Sequence, residues 1–151
     1  MTLSLQQISD RIEIEDLIWN YSDVIDRKAF AELRTVFTED AYIDYSVFGG
    51  SKGNLEDTIK FLDDAMAIFP YTQHLNANMQ VKLDGDTAKG HIMCLNPQEM
   101  KVGEGKTHTW MLGLWYNDIY VRTSDGWRIK ERSEQRSWKF NTPEFMSFLD
   151  E

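Results

Sequence analysis

Cysteine is almost absent from this chain: Cys94 stands alone, so no internal disulfide can form and the count fits a reducing compartment. Histidine is nearly as scarce. His74, His91 and His108 fall on separate expected strands without the i, i+4 spacing or carboxylate pairing of zinc sites, so no metal is expected. A Gly-rich phosphate loop is also missing, and no cofactor is expected. Basic charge is in deficit: 16 Lys and Arg against 25 Asp and Glu give a net charge of −9 and a pI near 4.8. That balance argues against nucleic acid and against an anionic membrane surface as partners. No window approaches the ~18 apolar residues of a membrane span, and the stretch from Met1 to Gln7 turns charged by Asp10 without the apolar region of a signal peptide. The expectation is a soluble, cytoplasmic protein.

What the chain does have is length enough for one core: 151 residues and 17.7 kDa fit a single domain over 1–151. Eight Phe, six Tyr, five Trp and seven Met suit a ligand cavity, a subunit interface or a closed core equally well. Ile8, Ile12, Leu17, Ile18, Tyr21 and Ile25 recur at three- and four-residue steps, predicting a helix over 8–26 with Ser9 and Asp10 as candidate caps. A short second helix carries Phe30, Leu33, Val36 and Phe37 and is broken by Thr38-Glu39-Asp40. Residues 41–48 read as a strand, and Asn54 caps a third helix that Pro70 stops.

Over 72–83 the period becomes two, with Leu75, Ala77, Met79, Val81 and Leu83 on one face and His74, Asn76, Asn78 and Gln80 on the other. Asp84-Gly85-Asp86 marks a hairpin into a strand over 87–96, and 97–106 reads as a longer, glycine-bearing connection. Strands over 107–122 and 127–138 complete a meander, followed by a short apolar tail at 145–149. The order α-α-β-α-β-β-β-β is an α+β pattern. It predicts a cone-shaped barrel, a strongly curved, mostly antiparallel sheet wrapped around the N-terminal helices, whose inward strand faces enclose a pocket.

Five motifs in sequence order carry a family resemblance: Asp26-Arg27-Lys28-Ala29-Phe30, Ile43-Asp44-Tyr45, Thr72-Gln73-His74, Tyr116-Asn117-Asp118-Ile119-Tyr120 and Asp125-Gly126-Trp127-Arg128-Ile129. Together, over about 8–138, they resemble the SnoaL-like branch of the nuclear transport factor 2-like superfamily. Polyketide cyclases, scytalone dehydratase and ketosteroid isomerase share that cone. The resemblance to scytalone dehydratase implies a catalytic aspartate at Asp26, a substrate-polarising tyrosine at Tyr45 and a histidine at His74. Its second tyrosine falls on Ile25 and its second histidine on or near Gln98, so that site is not reproduced whole. Similarity to bile-acid 7α-dehydratase implies Tyr21, Asp26, His74 and Arg136, with Asn96 where that family has a second aspartate. A hexachlorocyclohexane dehydrochlorinase is similar at Asp26 and His74.

An imidazole takes a proton near neutral pH, and an adjacent carboxylate fixes its tautomer and stabilises the cation that forms. On this reading Asp26 orients and His74 acts, while Tyr45 and Tyr21 donate to a carbonyl oxygen as negative charge develops. Arg136 is a candidate anchor for a carboxylate or enolate oxygen, although it also fits a surface charge run with Lys130, Glu131, Arg132 and Glu134. Asn96, Asn117, Gln98 and Trp115 are candidate lining for a small hydrophobic, ring-bearing substrate. The expected function is a cofactor-independent lyase (dehydratase) or isomerase that removes a proton α to a carbonyl of a small cyclic or polyketide- or steroid-like substrate. The alternative is a non-catalytic binding or subunit-assembly module of the same fold. In either case the resemblance implies a homodimer or higher homo-oligomer.

Overall fold

The computed structural model describes residues 2–150. Helix α1 (Leu5–Asp26) begins a turn earlier than its periodicity implies, because Ser4 closes a capping box. The Ser4 hydroxyl accepts the Gln7 N–H at 3.1 Å, while the Gln7 side chain accepts the Ser4 N–H at 2.9 Å. Its inward stripe is Ile14, Leu17, Ile18, Tyr21, Val24 and Ile25. Ile8 and Ile12, expected on that stripe, are 43% and 53% exposed. They precede Asp10 and Ile14 by two residues, about 200° of helical rotation, and so lie on the far face.

Asp10 is no cap but a buried anchor. It accepts hydrogen bonds from Arg122 at 2.7 Å, Gln6 at 2.9 Å and the Trp127 indole at 3.3 Å, pinning the first half of α1 to the last hairpin. The expected second helix is a 3-10 turn over Phe30–Thr35. Phe37 already opens strand β1 (Phe37–Asp44), so Thr38-Glu39-Asp40 lies within a strand rather than breaking a helix. The parallel neighbour explains this: the last strand draws the chain out of its turn, with Ile129 N–H donating to the Val36 carbonyl at 2.9 Å.

Strand β2 (Lys52–Gly53) and helix α2 (Leu55–Ala65) follow, the helix capped by Asn54, whose side chain accepts the Asp57 N–H at 2.9 Å. The remaining strands are β3 (Tyr71–Thr72), β4 (Leu75–Asp84), β5 (Thr87–Gly103), β6 (Lys106–Thr123) and β7 (Gly126–Phe140), and a short helical segment, Glu144–Asp150, closes the chain. The expected loop at 97–106 is instead the paired ends of β5 and β6, laddered from Thr87 opposite Val121 to Gly103 opposite Lys106. The sheet order is β2-β1-β7-β6-β5-β3, with β4 also pairing β5. Among the described residues only β1 and β7 pair in parallel. The sheet curls around α1 without closing.

Alternation along β4 breaks between Ala77 and Gln80, where Asn78 adopts a left-handed φ of 47°. Before the bulge the polar face turns inward: Asn76 donates to Ser22 of α1, and Leu75 is 49% exposed. After it Met79, Val81 and Leu83 pack on the core. Leu75 and Ala77 therefore do not share a face with Met79, as unbroken alternation implied.

Burial pushes the Asp10 carboxyl up, but the hydrogen bonds from Arg122, Gln6 and Trp127 outweigh it and hold the group below the ordinary range. A lowered folded value means that this anchor stabilises the fold above the ordinary Asp pKa of about 3.9 and is lost as pH falls through the folded value. Asp10→Ala is expected to cost about 2–3 kcal/mol at pH 7, measured by urea unfolding. Its penalty should shrink as the solution is acidified.

Candidate functional site

Asp26 is the last residue of α1. The chain beyond it turns back through Lys28, left-handed at φ 59°, whose ammonium reaches the Pro70 carbonyl at 3.3 Å. This turn sets the helix end against the link between β3 and β4. One Asp26 carboxylate oxygen accepts the Thr72 hydroxyl at 3.0 Å and meets His74 Nδ1 at 2.7 Å, while the other accepts the His74 backbone N–H at 2.9 Å. Burial pushes the Asp26 carboxyl up, and these donors, His74 foremost, more than offset it, so it sits below the ordinary range. An ionised Asp26 requires a proton on Nδ1, and in the neutral imidazole that tautomer carries its lone pair on Nε2.

His74, its side chain 9% exposed, lines a cavity of about 420 Å³ between the concave face of the sheet, α2 and the C-terminal segment. Small-molecule sites of roughly 300–1,000 Å³ are of this order. Its polar groups are Tyr21, Tyr45, His74, Asn96, Gln98 and Glu134; its apolar walls include Leu62, Phe69, Trp110, Met146 and Phe148. The Tyr21 and Tyr45 hydroxyls are 2.8 Å apart and buried. Desolvation pushes Tyr21 up to about 12 and Tyr45 well above the ordinary tyrosine value, so both remain protonated. Their mutual bond uses one of two O–H protons and leaves the other to donate. Asn96 donates to the Gln73 carbonyl at 2.8 Å and accepts from Gln98, bracing the segment that carries His74.

Six of the nine expected site residues thus line one cavity or, for Asp26, orient a residue that does. Three do not. Asn117 and Trp115 alternate out of phase with the inward residues Leu114, Tyr116 and Asp118 and sit on the outer face of the sheet. There Trp115 stacks on His91 with ring centroids 4.2 Å apart, and Asn117 bonds the His91 ring at 2.8 Å. That face carries a wider groove of about 880 Å³ lined by Lys89, His91, Asn117 and Glu131, away from the dyad. Arg136 lies beyond the cavity and donates to the Leu149 carbonyl, fastening the C-terminal segment whose Met146 and Phe148 close the cavity.

Two residues read as surface charge prove to be interior. Arg132 is fully buried, paired with Asp118 at 2.8 and 2.6 Å, and sandwiched 4.1 Å from the ring centroids of both Tyr21 and Tyr116. Glu134 opens onto the cavity. The remaining histidine, His108, bonds the Asn141 carbonyl at 2.7 Å. The Cys94 thiol is buried, and desolvation pushes it up to about 12, so it is no nucleophile near neutral pH.

Residues 6–133 match the model of the SnoaL-like domain. The chain belongs to the SnoaL-like family. The uncharacterized protein Rv2910c of Mycobacterium tuberculosis is 42% identical over 137 residues, covering 91% of this chain and 92% of its own. Among solved structures, the "Putative Scytalone Dehydratase" of Novosphingobium aromaticivorans superposes with a TM-score of 0.79 at 21% identity, covering 90% of this chain and 89% of its own. A hexachlorocyclohexane dehydrochlorinase (LinA) type 2 gives 0.77 at 16% identity, covering 93% of each chain. At such identities the two structures establish the shared cone. Among the described residues of this SnoaL-like chain, no helix is long and apolar enough to cross a membrane.

Arg136→Ala is expected to loosen the C-terminal segment rather than to remove a substrate anchor. Limited proteolysis should cut faster within 141–150, while the urea midpoint of the body of the protein stays nearly unchanged.

Proposed function

We propose that this SnoaL-like protein is a cofactor-independent lyase or isomerase that abstracts a proton α to a ketone. One observation carries the reading: Asp26 holds His74 by Nδ1, and His74 lines a cavity of about 420 Å³. The Tyr21–Tyr45 pair receives the carbonyl oxygen and donates its spare proton as charge builds there. His74 Nε2 takes the α-proton, and the C–H electron pair moves toward the carbonyl. With a hydroxyl on the β-carbon, the C–H pair forms the C=C bond, the C–O bond breaks and the oxygen leaves as water on gaining one proton; in a β,γ-unsaturated ketone the proton returns at the γ-carbon and the double bond migrates.

The aromatic walls, with Phe69 and Trp110 edge to face at 5.2 Å, suit a flat, ring-bearing substrate. Two structural neighbours named for a dehydration and a dehydrochlorination support elimination over other proton-transfer chemistry. Self-association across the outer sheet face, around the His91–Trp115 stack, belongs to the same reading.

1-Tetralone, a bicyclic ketone with α-protons and no leaving group, is a direct probe. The protein is expected to exchange its α-protons into heavy water, followed by mass spectrometry. His74→Ala and Asp26→Asn should each lose about 10²-fold or more while still binding the ketone. Binding without exchange in the wild-type protein would falsify the catalytic reading and leave a binding module.

A further inference from the structure

One carboxyl in the cavity is not used by the dyad. Glu134 projects from β7, opposite Tyr116 on β6, and lines the cavity together with His74. The two come from different walls. His74 belongs to the link between β3 and β4, and β5 and β6 lie between that edge and β7 in the sheet. Three strand intervals of about 4.8 Å each, bent into a cone, leave room for a ring between the two side chains.

Glu134 has no hydrogen-bonding partner of its own among the described residues, only charges nearby. Arg132 gives Nε and Nη2 to Asp118 while its Nη1 has no partner among the described residues, and the Tyr21 and Tyr45 hydroxyls bond each other. The titratable groups around it are Arg132 on β7, Asp44 at the end of β1, Tyr21 on α1, Tyr45 after β1, Tyr116 on β6 and Cys94 on β5, with Asp26 and His74 across the cavity. Arg132 is the one fixed cation in that set. Burial pushes the Glu134 carboxyl up to about 8; Arg132 pulls it down, and Asp44 adds to the rise. A carboxylic acid that faces a cavity with no protein acceptor or donor is placed to give its proton to a ligand.

We propose that Glu134 is the general acid of the elimination, protonating the β-oxygen as its bond to carbon breaks. This rests on the reading above, that His74 removes the α-proton. His74 Nε2 takes that proton, the C–H pair becomes the C=C bond, and the C–O pair departs on oxygen with the Glu134 proton as water. The imidazolium proton then passes through the product water to the Glu134 carboxylate, restoring both groups. The two groups have different surroundings: Asp26 orients the imidazole that serves as base, and desolvation keeps the proton on Glu134.

The test uses two ketones and one spectroscopic readout. 1-Tetralone reports α-proton abstraction alone; 3-hydroxy-1-tetralone reports dehydration, through the 1-naphthol it forms. Glu134→Gln is expected to keep 1-tetralone exchange within about threefold of wild type and to lose dehydration by about 10²-fold or more. The alkaline limb of the dehydration profile, centred near 8 in the wild type, should vanish in this variant. Independently, infrared difference spectra of wild type against Glu134→Gln at pH 7 should show a protonated-carboxyl stretch present only in the wild type. Dehydration by Glu134→Gln at the wild-type rate, a missing stretch, or wild-type exchange without dehydration each overturns the acid role alone. A wild-type protein that neither exchanges 1-tetralone nor dehydrates its hydroxy derivative overturns the elimination reading, and the acid role with it.

Discussion

The site hangs on one carboxylate in an unfavourable place. Asp26 ends α1, where the helix dipole presents its negative pole and disfavours an anion. Three hydrogen bonds from Thr72 and His74 reverse that preference. Because two of them come from one residue, through its backbone and its ring, they fix the chain between β3 and β4 and the imidazole plane together. The same contacts join helix to sheet edge, so packing and tautomer are set by a single joint. An asparagine of equal size would keep the shape but lose the charge that stabilises an imidazolium.

A second buried charge lies under the other end of the cavity. Arg132 and Asp118 are both fully buried, and one guanidinium nitrogen, Nη1, has no partner among the described residues. Such a pair is weak evidence for stability, since desolvation rivals the attraction. Its position suggests another role: the guanidinium lies between the Tyr21 and Tyr116 rings, and its charge lowers the tyrosines' pKa values against the desolvation that raises them. The hydroxyls stay protonated but are polarised by a fixed cation, the preorganised arrangement that favours charge developing on an acceptor.

The order of elements, the α2 cap at Asn54 and the dyad partners were legible because each depends on residues near in sequence or on a motif. The helix α1 face was half legible: Leu17, Ile18, Tyr21 and Ile25 are buried, but Ile8 and Ile12 belong to a second apolar stripe that shares the same spacing with Trp19. Composition cannot choose between two stripes; the buried Asp10 chooses, through contacts more than a hundred residues away. Trp115 and Asn117 were misplaced because a strand pattern fixes which residues share a face but not which face turns inward. Gln98 and Asn96 continue the phase of the buried Cys94 and Ile92, and both line the cavity.

Strand β7 departs from simple alternation for a different reason. Trp127 and Ile129 point inward, so unbroken alternation would send Glu131 and Ser133 to the core and put Arg132, Glu134 and Arg136 in water. The register with β6 shifts between Ile119 and Tyr120, opposite 129–131, and the extra residue exchanges the two faces. Upstream of the bulge the strand contributes indole and isoleucine to a dry core; downstream the same face contributes the guanidinium under the tyrosines and the carboxyl in the cavity. The bulge in β4 makes the same exchange in reverse, polar before and apolar after. In a cone lined by alternating strands, a polar cavity can sit over an apolar core only if strands change face partway along. These two bulges divide the interior into a packed end and a chemical end, and they are the feature a period-two reading cannot see.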